Sequence, residues 1–370
     1  MQIRPFKLER YFAEYEFRIQ YLLSPSDCES ITLPELLGMA DEDSLTRWQN
    51  LSLGYTESAG HPVLRAEIAK LYTSISADNL VVAAPEEAIF IAMNTLLRPG
   101  DHVIAISPAY QSLYEVAHAI GCTVTPWPVT LQGNHWTLDV NQLETLITPA
   151  TRLLVINFPH NPTGYLPTEG ELRSIVAIAR RHQLRVFSDE MYRWLEYDPT
   201  QQLPALCDLY EQGISLAGLS KAFALPGLRI GWLATQDAAL AQAFLAFKDY
   251  TTICNSAPSE ILGLMALRNR NAIWARNLQI VQHNLTVAEH FFARHQARFL
   301  WPRPNAGSTA FPRWLGQGSV ADFCQAVLTQ QGVMIVPDTM FDQANHHFRI
   351  GLGRRNFGEA LAKVEQYLGG

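Results

Sequence analysis

The sequence predicts an α/β protein built on a mostly parallel sheet, followed by a smaller α+β region. Three observations lead there. Short apolar runs alternate with helically spaced stretches through the middle of the chain, and a long helical pattern then covers 256–296. The third is length, because 370 residues exceed one ordinary core and suggest about two domains at roughly 150 residues each. Strands that alternate with helices imply parallel pairing, helices on both faces, and a ligand site at the carboxyl ends of the strands.

The strands expected in order are 80–83, 103–107, 153–157, 185–188, 214–218 and 229–234. Each is a short run of apolar and β-branched residues. The stretches 86–96, 168–181 and 238–248 carry helical spacing between them. Past the helical stretch, a smaller α+β region begins after Pro304 and closes with a helix over 357–368.

Composition excludes several functions. With 48% hydrophobic and 17% charged residues and no low-complexity tract, the chain reads as a globular protein rather than a disordered one. A net charge of −7 and scattered arginines argue against nucleic acid as a partner. The cysteines, at 28, 122, 207, 254 and 324, are odd in number, widely spaced and without a C-x-x-C pair, which fits free thiols and supports neither a disulfide frame nor zinc. The first ten residues do not read as a secretory signal, and no uncharged apolar run reaches membrane-spanning length. A cytoplasmic location is expected, in which Asn284-Leu285-Thr286 is a chance sequon.

Chemistry gathers in a few segments. Only five lysines occur, at 7, 70, 221, 248 and 363, and Lys221 sits in Ser220-Lys221-Ala222-Phe223-Ala224-Leu225-Pro226-Gly227-Leu228-Arg229. A lysine on a short apolar turn, followed by a break and an arginine, suits a Schiff base and an anion grip in one cavity. Asn157-Phe158-Pro159-His160-Asn161-Pro162-Thr163-Gly164 follows a strand, and its prolines and glycine make a rigid turn that holds the Asn161 amide at the sheet edge. By composition alone a turn of this kind is more often structural than functional. In Arg185-Val186-Phe187-Ser188-Asp189-Glu190-Met191-Tyr192 an apolar run stops at an acid, which by itself reads as a helix cap. Tyr110, in Ser107-Pro108-Ala109-Tyr110, could be plain packing, and Arg349, in Phe348-Arg349-Ile350-Gly351-Leu352-Gly353, could be a surface arginine on a half-exposed strand.

Taken together, these segments resemble the fold-type I pyridoxal-phosphate enzymes of the class I/II aminotransferase family, from about Leu51 to the C-terminus. The opening Phe6-Lys7-Leu8-Glu9-Arg10-Tyr11-Phe12 also resembles the capreomycidine-synthase-like branch. The resemblance implies a seven-stranded, mostly parallel sheet in a large cofactor-binding domain over 46–275, a small α+β domain over 276–370, and an N-terminal segment over 1–45 beside the small domain and the substrate. It implies that Lys221 carries pyridoxal 5'-phosphate as a Schiff base. Asn161 and Tyr192 would hydrogen-bond the phenolic oxygen of the cofactor, Tyr110 would stack on its ring, and Asp189 would pair with the pyridinium nitrogen. A carboxylate there keeps that nitrogen protonated, so the ring absorbs the electrons left when an α-proton departs. Arg349 would grip the substrate α-carboxylate in a bidentate pair.

Gly54-Tyr55-Thr56-Glu57-Ser58-Ala59-Gly60-His61-Pro62-Val63-Leu64-Arg65 is similar to a signature whose tyrosine crosses a homodimer interface, so Tyr55 is expected to complete the site of a neighbouring subunit. The phosphate cup departs from the family pattern. Pro85 has no N–H to give, and Gly218 stands where many relatives carry a serine. The Glu86 amide, the Ser220 hydroxyl, Arg229 and Tyr55 are therefore expected to hold the phosphate, with the Glu86 and Glu87 side chains pointing away.

Near the start, Leu22-Leu23-Ser24-Pro25-Ser26-Asp27-Cys28-Glu29-Ser30 is either a capped surface turn or a segment whose Asp27 or Glu29 faces the substrate side chain and favours a polar or cationic one. Arg354-Arg355 reads as a solvated helix start, and His346-His347 lacks a third metal ligand. The reaction implied is transamination between an L-amino acid and a 2-oxo acid. The same apparatus also serves elimination, racemisation or cyclising replacement, and a non-catalytic binding module is the remaining alternative.

Overall fold

Continuous apolar runs become the strands of one eight-stranded sheet in the computed structural model, which describes residues 2–369. These are β1 (Leu80–Ala83), β2 (His102–Ser107), β3 (Thr123–Gln132), β4 (His135–Leu138), β5 (Thr151–Asn157), β6 (Arg185–Asp189), β7 (Gly213–Gly218) and β8 (Gly231–Thr235). Their spatial order is β1-β8-β7-β6-β5-β2-β3-β4. Neighbours from β7 across to β3 are parallel. β8 runs antiparallel to both β1 and β7, and β4 is the hairpin partner of β3. Strands β1, β7 and β8 are buried at every residue and β5 and β6 at all but one, as expected of strands covered by helices on both faces.

Two features differ from the sequence expectation. The β3–β4 hairpin adds an eighth strand and was hidden by Pro126 and Pro128. Over 123–128 β3 pairs only with β2, and its partner β4 begins opposite Val129, so the prolines occupy a stretch whose outer edge is free of ladder bonds. Strand β8 starts at Gly231 rather than 229, because Pro226–Leu228 form a 3-10 turn and Arg229 takes a left-handed φ of 55°.

Helices α1 (Lys7–Tyr15), α2 (Pro85–Leu96), α3 (Ser112–Ile120), α4 (Glu169–Arg181) and α5 (Ala238–Lys248) begin the helical inventory that positions the site. Thr168 and Glu171 form a reciprocal capping box that opens α4. The long helical stretch is two helices, α6 (Ala257–Arg268) and α7 (Arg270–Arg294), divided at Asn269. Helices α8 (Val320–Gln331) and α9 (Phe357–Gly369) cover the C-terminal region, where Phe348–Gly351 lies between Thr309–Ala310 and Val336–Pro337.

The N-terminal segment joins this C-terminal region. Tyr21–Leu22 pairs in parallel with Val333–Met334, and α1 packs on a second apolar cluster of Leu8, Phe311, Val336 and Phe341. Gly351 permits the crossing, since a Cβ there would come within 1.7 Å of the Pro25 carbonyl oxygen. Among the described residues, no helix is long and apolar enough to cross a membrane.

The main core is anchored by Trp232 on β8, which is fully buried and donates its indole N–H to the Tyr72 hydroxyl at 2.7 Å. Removing that acceptor leaves a buried donor unpaired, at a cost of about 1–3 kcal/mol. Tyr72→Phe is therefore expected to lower the thermal unfolding midpoint measurably, whereas an unchanged midpoint would mean the indole is satisfied elsewhere.

Candidate active site

Strands β2, β5, β6 and β7 deliver their carboxyl ends to one cavity of about 380 Å³. Asp189 ends β6, Asn161 follows β5, Ser220 and Lys221 follow β7, and Tyr110 follows β2. Arg229 and Arg349 also line it, with Tyr192. Residues far apart in sequence thus meet because parallel strands all point their ends the same way.

Lys221 Nζ donates to Ser26 Oγ at 2.8 Å and lies 5.9 Å from the centroid of the Tyr192 ring. Asp189 is buried, and its Oδ1 accepts the Met191 N–H at 3.0 Å. Burial pushes its carboxyl up to about 6, opposed by that N–H and by Lys221. A positive group brought against Asp189 would hold it ionised.

Arg349 is the most buried of the site cations, at 1% exposure. Its Nη1 donates to Asn161 Oδ1 at 3.2 Å and its Nη2 to the Ser24 carbonyl at 3.0 Å, while Nε has no partner. The rings of Phe12 and Phe341 lie 5.8 and 5.4 Å from its guanidinium carbon. No carboxylate pairs with it among the described residues, so the arrangement suits an incoming anion.

Two residues hold the β5 turn that sequence reasoning passed over. Asn157 donates to the Asp189 carbonyl at 2.9 Å and accepts the Asn161 N–H at 2.9 Å, which ties the turn to β6. His160 is buried between Thr163 Oγ1 at 2.7 Å and the Pro108 carbonyl at 2.8 Å, and burial lowers its pKa to about 4. A neutral imidazole therefore fixes the turn against the segment that carries Tyr110.

The departures in the phosphate cup are one packing feature. A Cβ on Gly218 would stand 3.0 Å from Gly231 Cα, and a Cβ on Gly231 would stand 2.9 Å from Pro85 Cγ. Pro85 fills space that only glycine at 231 leaves open, and glycine at 231 faces glycine at 218. A serine at 218 would crowd the Gly231 Cα and the Ile230 carbonyl, which would have to give by a few tenths of an ångström.

The family model for aminotransferase class I and II matches residues 38–360. The chain belongs to that family. It is 30% identical to a capreomycidine synthase from Streptomyces vinaceus, over 98% of this chain and 93% of that protein. A PLP-dependent aminotransferase from Streptococcus suis superposes with a TM-score of 0.91 at 28% identity, covering 100% of this chain and 97% of the other. The PLP-dependent cyclase OrfR also gives 0.91, at 25% identity, covering 100% and 98%. This protein is a pyridoxal-phosphate-dependent enzyme.

The residues present fit that cofactor. Ser220 Oγ is buried, lines the cavity and has no hydrogen-bond partner, as a donor reserved for a ligand oxygen would. Arg229 stands beside it as a fixed charge, and Lys221, Asp189, Asn161 and Tyr192 line the same space.

Several expectations need correction. Glu86 borders the cavity, but its carboxylate accepts the Ser112 hydroxyl at 3.2 Å, and burial pushes it up to about 7. Glu87 does turn away, to the Thr251 and Thr252 hydroxyls. Glu29 is not at the cavity, because its carboxylate accepts the Arg355 N–H at 3.1 Å at the chain's far side. Arg354 is not a solvated residue but an ion-pair partner of Asp27 at 2.9 Å, its side chain 18% exposed. Asp27 does line the cavity. Tyr55 does not line this cavity and is 94% exposed, which leaves its expected place in a neighbouring subunit's site open.

The sequence signal that went unread is on α1 and its C-cap, where Glu9 and Phe12 on the helix and Glu16 just past its end line the cavity. Their i, i+3, i+7 spacing puts them on one helical face.

In the expected phosphate cup, a Glu86 carboxylate close to the phosphate dianion would be tolerable only while neutral. It is neutral below about 7 and ionised above, so at pH 8 only about one-tenth is neutral. The affinity of the apoenzyme for pyridoxal phosphate should therefore fall about tenfold more between pH 6 and pH 8 in the wild type than in Glu86→Gln. Equal pH dependence in the two proteins would remove Glu86 from the cup.

Proposed function

We propose that this chain is an aminotransferase that moves an amino group from an L-amino acid to a 2-oxo acid. The reading rests above all on one arrangement: Lys221, Asp189 and Arg349 line a single cavity, with no carboxylate on Arg349.

Arg349 binds the substrate carboxylate through its free donor edge and is held in place by Asn161 Oδ1 and the Ser24 carbonyl. With its oxygen committed to Arg349, Asn161 keeps its amide N–H groups to donate to the cofactor's phenolic oxygen, beside Tyr192. Pyridoxal phosphate, when bound, supplies an electron sink for the pair left at the substrate Cα. Asp189 holds positive charge at the ring nitrogen, and its burial makes that pairing strong. The Lys221 amine, oriented by Ser26 Oγ, would take the proton from Cα as a general base and, as the conjugate acid, deliver it to the cofactor carbon that keeps the amino nitrogen rather than back to Cα. Ser220 and Arg229 hold the phosphate. The donor leaves as a 2-oxo acid, and its amino group passes to a second 2-oxo acid, so the two half-reactions balance without an external oxidant.

The active unit in this reading is a homodimer with Tyr55 reaching the partner's phosphate. Tyr55, Leu53 and Tyr250 are 94, 81 and 91% exposed, and Thr56 Oγ1 donates to the Asn255 carbonyl, so the loops carrying these residues are joined at Thr56 and Asn255. A second reading, a cyclising or eliminating enzyme on the same cofactor, is favoured by the likeness to a capreomycidine synthase.

Incubating the holoenzyme with an α-¹⁵N-labelled L-amino acid and an unlabelled 2-oxo acid should place the label in a new amino acid. Label released only as ammonium would favour the second reading. Lys221→Ala should lose the near-visible absorption band of bound cofactor and slow turnover by roughly 10²–10⁴-fold or more. Wild-type turnover in that variant would overturn the assignment.

A further inference from the structure

We propose that the C-terminal end of α5 is a clasp for the phosphate site, with Lys248 as its positioning residue. The half of the proposal that concerns Tyr55 rests on the homodimer reading, and the half that concerns the cup does not.

Lys248 is the last residue of α5, is fully buried, and does not line the cavity that holds Lys221. Its Nζ donates to the Ser58 carbonyl at 2.5 Å, to the Val82 carbonyl at 2.7 Å and to Asn255 Oδ1 at 3.3 Å. An ammonium has three protons, so none is left for a ligand and Lys248 acts only through what it holds. Burial is the main force against its charge, and the Glu87 and Glu260 carboxylates favour it. A neutral side chain in its place would release three oxygens from three segments at once.

Two of those segments lead to the phosphate site. Strand β1 lies at the sheet edge, and at Val82 its outer side is closed by a loop rather than by another strand. The Val82 N–H donates to the Ala59 carbonyl at 3.0 Å, and the Val82 carbonyl accepts from Lys248. Ala83 and Ala84 then carry the chain into Pro85 and Glu86, the start of α2 and of the cup. Ser58 stands three residues past Tyr55, and Gly60 lets this loop lie on β1, since a Cβ there would come within 2.5 Å of Val82 Cγ2.

The turn after Lys248 also grips the cup. Thr251 and Thr252 donate their hydroxyls to Glu87 Oε1 at 2.5 and 2.7 Å, and Glu87 Oε2 accepts the Ala84 N–H at 3.3 Å. Ile253 closes that turn with a φ of 67°, its N–H returning to the Lys248 carbonyl at 3.2 Å. A β-branched residue is strained there, and such strain persists where the surroundings impose it. Pro85 offers the cup no N–H and Gly218 no hydroxyl, so the placement of the donors that remain decides its grip.

The test measures, from the near-visible band, the affinity of the apoenzyme for pyridoxal phosphate and for pyridoxal, which keeps the ring and aldehyde and lacks the phosphate. In Lys248→Met, affinity for pyridoxal phosphate is expected to fall at least about tenfold while that for pyridoxal stays within about threefold. Unchanged affinity for both compounds, or an equal loss for both, would overturn the proposal, the second because it marks a merely structural lysine. If circular dichroism shows that this variant does not fold, the exposed pair Thr251→Val/Thr252→Val decides instead, with the same selective loss expected and the same two results against. Tyr55→Phe separates the two halves. No selective loss in that variant, with one in Lys248→Met, removes Tyr55 from the phosphate site and supports the clasp on the cup. A selective loss in Tyr55→Phe alone overturns the clasp and leaves the homodimer reading intact.

Discussion

A guanidinium buried without a counterion is the constraint around which the rest of the molecule is arranged. Arg349 is 1% exposed, and its own fold gives it only a side-chain amide oxygen, a backbone carbonyl and two aromatic faces. Burying a charge so incompletely paired is costly, and the cost is tolerated where an anion arrives to complete the pair. Each contact comes from a different part of the chain: Asn161 from the β5 turn, Ser24 from the N-terminal segment, Phe12 from α1 and Phe341 from the C-terminal region. The N-terminal segment must therefore cross beneath Phe348–Gly351, and the bare Cα of Gly351 is what lets Pro25 pass.

The opposite charge sits at the other side of the site and follows the same logic. Asp189 is buried at a strand end with one N–H bond and Lys221 as its nearest favourable charge, so its carboxyl is poised to ionise fully when a positive ring nitrogen docks. Asn157 and the neutral His160 then lock the geometry between the two poles. Because these groups are held by backbone carbonyls and N–H donors rather than by solvent-exposed pairs, the site is set before any ligand binds.

The legible part of this design was local. Apolar runs marked six of the eight strands: β1, β2, β5, β6 and β7 read clearly, β8 was placed two residues early because Arg229 looks like strand but takes a left-handed turn, and prolines concealed β3 and with it its hairpin partner β4. The site residues at strand ends were legible because rigid turns and lone acids punctuate apolar runs. What could not be read was tertiary. Nothing in the sequence says that Arg354 neutralises Asp27, that Glu29 caps a distant N–H, or that Pro85, Gly218 and Gly231 occupy one stack. Glu9, Phe12 and Glu16 had a helical spacing open to inspection, yet their place at the cavity depends on where α1 docks, and that is set by its packing against Phe311 and Phe341.

The most direct measurement is the stoichiometry of a single half-reaction: holoenzyme mixed with an L-amino acid substrate and no 2-oxo acid acceptor, with the released 2-oxo acid counted against enzyme sites. Transamination predicts one equivalent per site and then arrest, with release resuming when an acceptor is added. Continuous release without an acceptor, or a substrate consumed with no oxo acid formed, would contradict it.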